Sequence, residues 1–384
     1  MKNKRTYIKY LLPALLLLFC QAAYNQENSN PDFRFSGQLS GWGSFTPDAS
    51  EEWQFGGRYI PEISFAYPLK QNKLLDFEGS VNIFGHTEFN KLKDIDGNGK
   101  IKPYRVWIRY STTNSELRFG LQKINFGSAQ IFRPLMWFDS MDPRDPLEMT
   151  DGVWGGLFRY YFLNNANIWL WALAGNNKQK GWELFKTGGQ LRPEAGGRIQ
   201  LPFKKGEAAF SYHFREAKLA SLSLPESNAA EHRIGVDARA DVVVGLWLEA
   251  SWTHYNKNLD IISNQHLFTV GTDYTFGIGN GLGVTAEHMI YGLGRKALRP
   301  TENSHFTGLS LNYPATLFDT VTAMFYYDWK NHNPYTFVNW HRQLNSFSFY
   351  VMGFWNPKRY NVPGQTEFTG MAGKGIRLML VWNH

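Results

Sequence analysis

Residues 232–242 read HRIGVDARADV. Ile234, Val236, Ala238, Ala240 and Val242 share one parity, and Arg233, Gly235, Asp237, Arg239 and Asp241 share the other. Successive side chains of a strand point to opposite faces, so this segment predicts a strand with one apolar and one charged face. The same split recurs along the chain. In residues 104–111, Tyr104, Val106, Ile108 and Tyr110 oppose Arg105, Trp107, Arg109 and Ser111. In residues 192–203, Ile199, Leu201 and Phe203 oppose Arg192, Glu194, Arg198 and Gln200. The fold class turns on what the apolar face meets.

A soluble sheet lying on a core alternates in the same way. Two features favour lipid as the apolar partner. The apolar face is often aromatic at its ends, as interfacial girdles require. Connectors also alternate: tight turns such as KQNK (70–73), TTNS (112–115) and GIGNG (277–281) exchange with long ones such as 91–102, 128–152, 177–191, 219–230 and 356–373. A sandwich has no reason to keep short connections on one side and long ones on the other. In lipid every backbone N–H and C=O must be paired internally, so strands can span only in a closed barrel. The expectation is an all-β, closed antiparallel transmembrane barrel of about 18 strands. Weak alternation at 166–176 and 335–343 leaves 16 as the alternative count.

The N-terminus supports export. Lys2, Lys4, Arg5 and Lys9 precede an apolar run from Leu11 to Phe19 and the small residues Ala22 and Ala23. That is the pattern of a secretory signal peptide, giving residues 1–26 as signal and 27–384 as barrel. Cys20 is the only cysteine; a lipoprotein reading is disfavoured by the bulk of Phe19 before it. The mature chain then has no disulfide and no thiolate metal site. The formal charge of +7 includes those four cations and no acids from 1–26, so the mature chain sits near +3 and nucleic acid is not an expected partner.

The connector FRPLMWFDSMDPRDPLEMTDG, 132–152, carries prolines at 134, 143 and 146, the acids Asp139, Asp142, Asp145, Glu148 and Asp151, and Arg133 and Arg144. A proline fixes φ and removes a donor, so this loop is stiff. It is also far longer than the usual ~4–6 residues. The layout makes 128–152 the third external loop. Parity places Arg58, Arg105, Arg109, Arg118, Arg159, Arg198, Arg215, Arg233 and Arg239 on the lumen wall.

The whole mature chain resembles a Gram-negative outer-membrane porin. The segment LQKINFGSAQIFRPLMWFDSMDPRDPLEMTDGVWG, 121–155, is similar to a porin-like family of the Bacteroidota. In general porins the third external loop folds into the lumen and narrows it. Carried to this chain, the resemblance implies an acidic inward loop facing lumen arginines, and rings of charge select ions by sign and size. The competing reading pairs those arginines with lumen acids such as Glu62, Glu78, Glu116, Glu194, Asp237 and Asp241, and closes the pore. The last strand, GKGIRLMLVWNH, also resembles the C-terminal strand by which the barrel-assembly machinery recognises its clients, although Asn383 and His384 follow the terminal aromatic.

Other candidates are weaker. DIDGNGKIKPYR, from Asp94, places Asp94, Asp96 and Asn98 like the first half of a calcium loop, but position twelve is Arg105 and Lys100 and Lys102 oppose a cation. The bland reading is a polar turn. GIGNGLG, 277–283, leads to a strand rather than a helix and reads as a turn, not a phosphate cradle. Ser211 and His213 share a lumen face, the slender basis for an enzyme. His254 and His288 fall on the lipid-side parity.

The expected function is a passive outer-membrane diffusion channel for small polar or anionic solutes, not an enzyme and without a cofactor. Expected contacts are outer-membrane lipid and lipopolysaccharide. The alternatives are a plugged barrel whose external loops bind a ligand or partner, and a barrel enzyme.

Overall fold

A computed structural model describes residues 31–47, 52–90, 94–189, 192–219, 227–357 and 371–384. The signal segment 1–26 and Cys20 lie outside the described residues. The strands are β1 (Asp32–Phe45), β2 (Trp53–Leu69), β3 (Lys73–Asn90), β4 (Asp94–Ser111), β5 (Ser115–Gln122) and β6 (Val153–Tyr161). They continue with β7 (Asn167–Leu173), β8 (Lys186–Thr187), β9 (Glu194–Phe203), β10 (Gly206–Lys218), β11 (Asn228–Asp241) and β12 (Gly245–Tyr255). The last are β13 (Asn264–Phe276), β14 (Leu282–Gly294), β15 (Glu302–Pro314), β16 (Asp319–Asp328), β17 (Asn333–Leu344), β18 (Phe347–Trp355) and β19 (Lys374–Asn383).

Each long strand pairs antiparallel with the next, and β1 pairs with both β2 and β19, so the sheet closes. The two-residue β8 is a piece of a loop laid against the end of β10, and β7 passes directly to β9. Eighteen strands therefore make the wall. The segment that read weakly at 335–343 is β17, fully paired on both sides, which removes the 16-strand alternative.

Alternation sets the two faces. On β19, Ile376, Leu378, Leu380 and Trp382 point outward and are exposed, while Met379 and Val381 are buried inside. On β12, Leu246 and Leu248 face out and Trp247, Glu249, Ser251 and Thr253 face in. The connectors at one end run from two residues (204–205) to five (277–281). At the 70–72 turn Gln71 and Asn72 both have positive φ, the backbone of the tight hairpin turns that match strand twist. The connectors at the other end include 123–152 and 174–193.

Three features differ from the sequence expectation. The third long loop begins at Lys123, because β5 stops at Gln122 rather than at 127. Residues 94–100 belong to β4 and pair with β3 as far as Asn90–Asp94. An extended, ladder-bonded strand cannot wrap a cation, so the calcium-loop reading of Asp94, Asp96 and Asn98 is corrected. Finally, β7 alternates in direction but not in polarity: Leu170 and Ala172 face out, and the equally apolar Trp171 and Leu173 are buried inside. The lumen behind β7 is dry, since Trp171, Leu173, Leu157 and Val153 pack on Ile124, Phe126, Leu135, Trp137 and Phe138 of the loop.

Candidate functional site: the loop across the lumen

The loop 123–152 leaves the wall after β5 and packs inside the barrel. Its local form follows from two Asp-Pro steps. The Asp142 carboxylate accepts the Arg144 N–H at 2.9 Å, and the Asp142 carbonyl accepts the Asp145 N–H at 3.0 Å. Asp145 repeats the device: its carboxylate accepts the N–H groups of Leu147 and Met149, both at 3.0 Å, and its carbonyl accepts that of Glu148 at 3.0 Å. Proline second in a turn presets φ, and an aspartate before it caps the free N–H groups. Two consecutive turns are the structural meaning of MDPRDPLEM.

The first arm is held by two wall carboxylates that the sequence reading did not single out. Glu249 on β12 accepts the N–H of Ala129 at 2.9 Å and of Leu135 at 2.6 Å. Glu287 on β14 accepts the N–H of Gln130 at 2.6 Å, Ile131 at 3.1 Å and Phe132 at 2.6 Å, together with the Trp247 indole N–H at 3.0 Å. Buried backbone donors must find partners, and an irregular loop inside a barrel cannot supply them from its own ladder. Gly127, at φ +105°, lets the chain come close: a Cβ there would stand 2.3 Å from a Glu249 carboxylate oxygen. Wall glycines also make room for loop side chains. A Cβ on Gly235 would meet Leu135 at 2.4 Å, and one on Gly308 would meet Ile131 and Phe132 at 2.9 Å. Apolar contact completes the dock, with Phe132 against Phe306 and Tyr326 and the Trp137 indole donating to Ser251 Oγ at 3.0 Å.

The loop's far end is tied elsewhere. Arg105 donates to the Thr150 carbonyl at 3.0 Å. Asp151 pairs with Lys102 of β4 and with Lys178, at 2.6 Å, of the next long loop. Burial alone would raise Asp151, but those two ammonium groups outweigh it and hold the carboxyl well below the usual carboxylate range. Asp145 shifts the other way: burial raises it, and the N–H groups of Leu147 and Met149 only partly offset that. The next loop, 174–193, buttresses the assembly. Lys180 reaches the Asp151 carbonyl at 3.1 Å, and the Trp182 indole donates to the Arg133 carbonyl at 2.8 Å.

The candidate residues fall into three groups. On the loop, Arg133 grips Asp139 at 2.8 and 3.1 Å and Asp142 pairs with Arg144, so these charges are matched within the loop. On the wall, Arg109 pairs with Asp76 (2.6 Å), Arg159 with Glu116 (3.0 Å), and Arg118 lies 3.7 Å from Glu116. Arg198 pairs with Asp237 (2.5 Å) and Arg239 with Asp273 (3.2 Å). Arg215 and Arg233 share Glu231 and Glu183, the latter brought in by the 174–193 loop. The expected ring of loop acids against these seven arginines is therefore replaced by pairing with acids of the wall and of the neighbouring loop.

The third group borders open space. A cleft of about 200 Å³ separates the loop tip from the β1–β3 and β19 wall. Arg58 and Arg377, with Gln54, Trp42, Phe84 and His86, line the wall side; Ser140, Asp142, Asp145, Leu147 and Met149 line the loop side. Arg58 is the only one of the nine predicted wall arginines in that lining, and Arg377 was missed although β19 parity places it inside. A second space, about 450 Å³, lies between the loop and Thr285, Ser310 and Met324 of β14–β16 and includes Arg133, Asp142 and Glu148.

Ser211 and His213 do not meet as nucleophile and base. Ser211 Oγ accepts from Arg198 at 3.2 Å, and His213 Nδ1 accepts the Trp171 indole N–H at 3.1 Å, with Glu194 3.3 Å from its other nitrogen. Among the described residues no three His, Cys, Asp or Glu side chains form a metal-binding group.

Solved structures with the same architecture include OccAB1 of Acinetobacter baumannii, at 9% identity over 92% of this chain and 96% of that one, TM-score 0.55. OccK7 of Pseudomonas aeruginosa matches at 9% identity over 92% and 99%, TM-score 0.54. The fold is that of the outer-membrane porins. It is shared by Wzi of Escherichia coli, described as a carbohydrate-binding β-barrel involved in capsule assembly, at 10% identity over 90% and 83%, TM-score 0.53. No protein-family model and no curated protein matches the chain, so the expected link to a Bacteroidota family is unsupported.

Proposed function

We propose that the chain is an outer-membrane diffusion channel whose passage runs through the cleft between the loop tip and the β1–β3 and β19 wall, and that it favours small anionic solutes. The observation that carries this reading is the composition of that cleft. Its wall contributes the guanidinium groups of Arg58 and Arg377. The loop carboxylates opposite are engaged by their own loop, Asp142 by Arg144 and Asp145 by backbone N–H groups. In a narrow bore with low-dielectric walls, fixed charges dominate the field, and here Arg58, Arg377 and the Arg144 paired with Asp142 outnumber the carboxylates Asp142 and Asp145. Entry of small polar solutes needs no energy source. Insertion would use the assembly machinery through β19, whose outward Ile376, Leu378, Leu380 and Trp382 are exposed for lipid.

Planar-bilayer recording in a salt gradient tests the proposal. A reversal potential on the anion side, reduced in R58Q/R377Q, is the expected result. A cation-side potential would overturn the selectivity. A folded, heat-modifiable barrel that passes no current would favour a plugged barrel that binds ligand at its long loops.

A further inference from the structure

The loop divides the lumen. On one side lies the cleft of Arg58 and Arg377; on the other lies the larger space of about 450 Å³ against β14–β16, which the proposed passage does not use. Seven consecutive loop residues, 125–131, border this second space. The side chains of Phe126 and Ile131 are buried in apolar clusters, the first with Trp171 and the second with Phe306. Those residues therefore face the space with backbone. Gly127, Ser128 and Ala129 between them have little side chain to place there.

The N–H groups of this arm are spent on the wall. Glu249 takes that of Ala129, and Glu287 takes those of Gln130, Ile131 and Phe132. The carbonyl oxygens of 125–131 accept no hydrogen bond from any donor among the described residues. The Gln130 side chain spends its amide nitrogen on Asp273 at 3.3 Å, which leaves its oxygen as one more acceptor. A backbone carbonyl is an obligatory hydrogen-bonding group. This flank of the loop therefore presents a row of acceptors.

Charge points the same way. Of the charged residues lining the space, Arg133 is gripped by Asp139 and Asp142 by Arg144. Glu148 is left over: it is exposed, and its side chain forms no ion pair or hydrogen bond among the described residues. The two pairs cancel, so Glu148 sets the sign of this space, opposite to that of the first cleft. Thr285 and Ser310 add hydroxyl groups from the wall, and Met141, Pro143 and Met324 add apolar contact. We infer that the second space binds a primary ammonium ion carried on a short apolar body, with Glu148 as its counter-ion and the 125–131 carbonyls as further acceptors. An ammonium group has three donors and no acceptor, which complements that surface. Hydrogen bonds in which one partner is ionised are the strong ones. An anionic solute would meet the Glu148 carboxylate and the carbonyl row, which repel it. This site goes beyond the proposed channel: it requires the loop to be latched to the wall, not current through the first cleft.

The test is a ligand-observed NMR titration of the purified barrel in non-ionic detergent with n-butylammonium, beside tetramethylammonium, which has the charge without N–H donors. Binding of n-butylammonium should saturate and exceed that of tetramethylammonium. E148Q should weaken it on the order of tenfold, as loss of one hydrogen bond to a charged group gives. S310W, which fills the space from the wall, should abolish it, and R58Q/R377Q should not weaken it. A heat-modifiable gel shift reports that the variants fold. Tetramethylammonium bound as tightly as n-butylammonium, or n-butylammonium binding that survives both E148Q and S310W, would overturn the inference. Loss of binding in R58Q/R377Q would place the ion in the first cleft and overturn it as well. Because binding is read without current, a barrel that passes no ions yet holds n-butylammonium would sink the channel reading and leave this site standing.

Discussion

Replacing Glu287 with alanine should loosen the loop across the lumen. The carboxylate accepts three loop N–H groups and the Trp247 indole N–H, and it is buried. Hydrogen bonds to a charged group contribute roughly 1.5–3 kcal/mol each, and stranded buried donors cost about 1–3 kcal/mol each. Water from the neighbouring space would rehydrate some of the donors, and Phe132, whose full burial is worth about 1.5–3 kcal/mol, still favours the dock. A net loss on the order of 3 kcal/mol remains, roughly a hundredfold in an opening equilibrium. E287Q is not a neutral control. Its single amide oxygen satisfies either Ile131 and Phe132 or Gln130 and Trp247, and the NH2 then faces the remaining donors. Hydrogen exchange of amides 130–132 should accelerate about a hundredfold in E287A. Single-channel traces should become noisier, and E249A/E287A should conduct more than either single variant. Unchanged exchange at 130–132 together with wild-type conductance in the double variant would refute the latch.

Three further outcomes follow from the same geometry. G308V places methyl groups where a Cβ already stands 2.9 Å from Ile131 and Phe132; overpacking costs about 1–3 kcal/mol, so noise should rise as in E287A while the gel shift stays intact. Asp151 has a depressed pKa in the folded chain. Its stabilising contribution is present above the unfolded value of about 3.9 and is lost as pH falls through the folded value. The 150–152 amides should therefore stay protected down to about pH 4 and open below it, and K102Q should move that opening to higher pH. E183A leaves Arg215 and Arg233 to share Glu231 as their one carboxylate partner among the described residues, and breaking a buried ion network costs about 3–5 kcal/mol. Its unfolding temperature on heated gels should fall, and unchanged heat stability would show that the 174–193 loop is not held by this cluster.

Most of the wall was legible because a strand facing lipid on one side and a polar lumen on the other writes itself with period two. β11 and β19 read correctly for this reason. Alternation in polarity failed at β7, where the lumen side is a dry seat for Phe126 and Phe138 and nothing in 166–176 alone signals that. Residues 94–100 looked like a loop because Asp and Gly are poor strand formers, yet pairing with β3 extends the hairpin. The latch was hidden because Glu249 and Glu287 lie 114–157 residues from the N–H groups they accept. A signal was present all the same: Glu287 shares its lumen face with Met289, and Glu249 with Trp247, on strands that carry no lysine or arginine. An inward loop without a ladder needs acceptors, and these two carboxylates are where it finds them.

The route past the loop can be read with a charged thiol reagent. The only cysteine, Cys20, lies in the segment expected to leave with the signal, so introduced cysteines report alone. Gln54 lines the cleft, whereas Ser251 is buried beneath Trp137 on the latched side. A cationic methanethiosulfonate should reduce single-channel current in Q54C and leave S251C unaffected. Block at S251C without block at Q54C would contradict a passage between the loop tip and the β1–β3 and β19 wall.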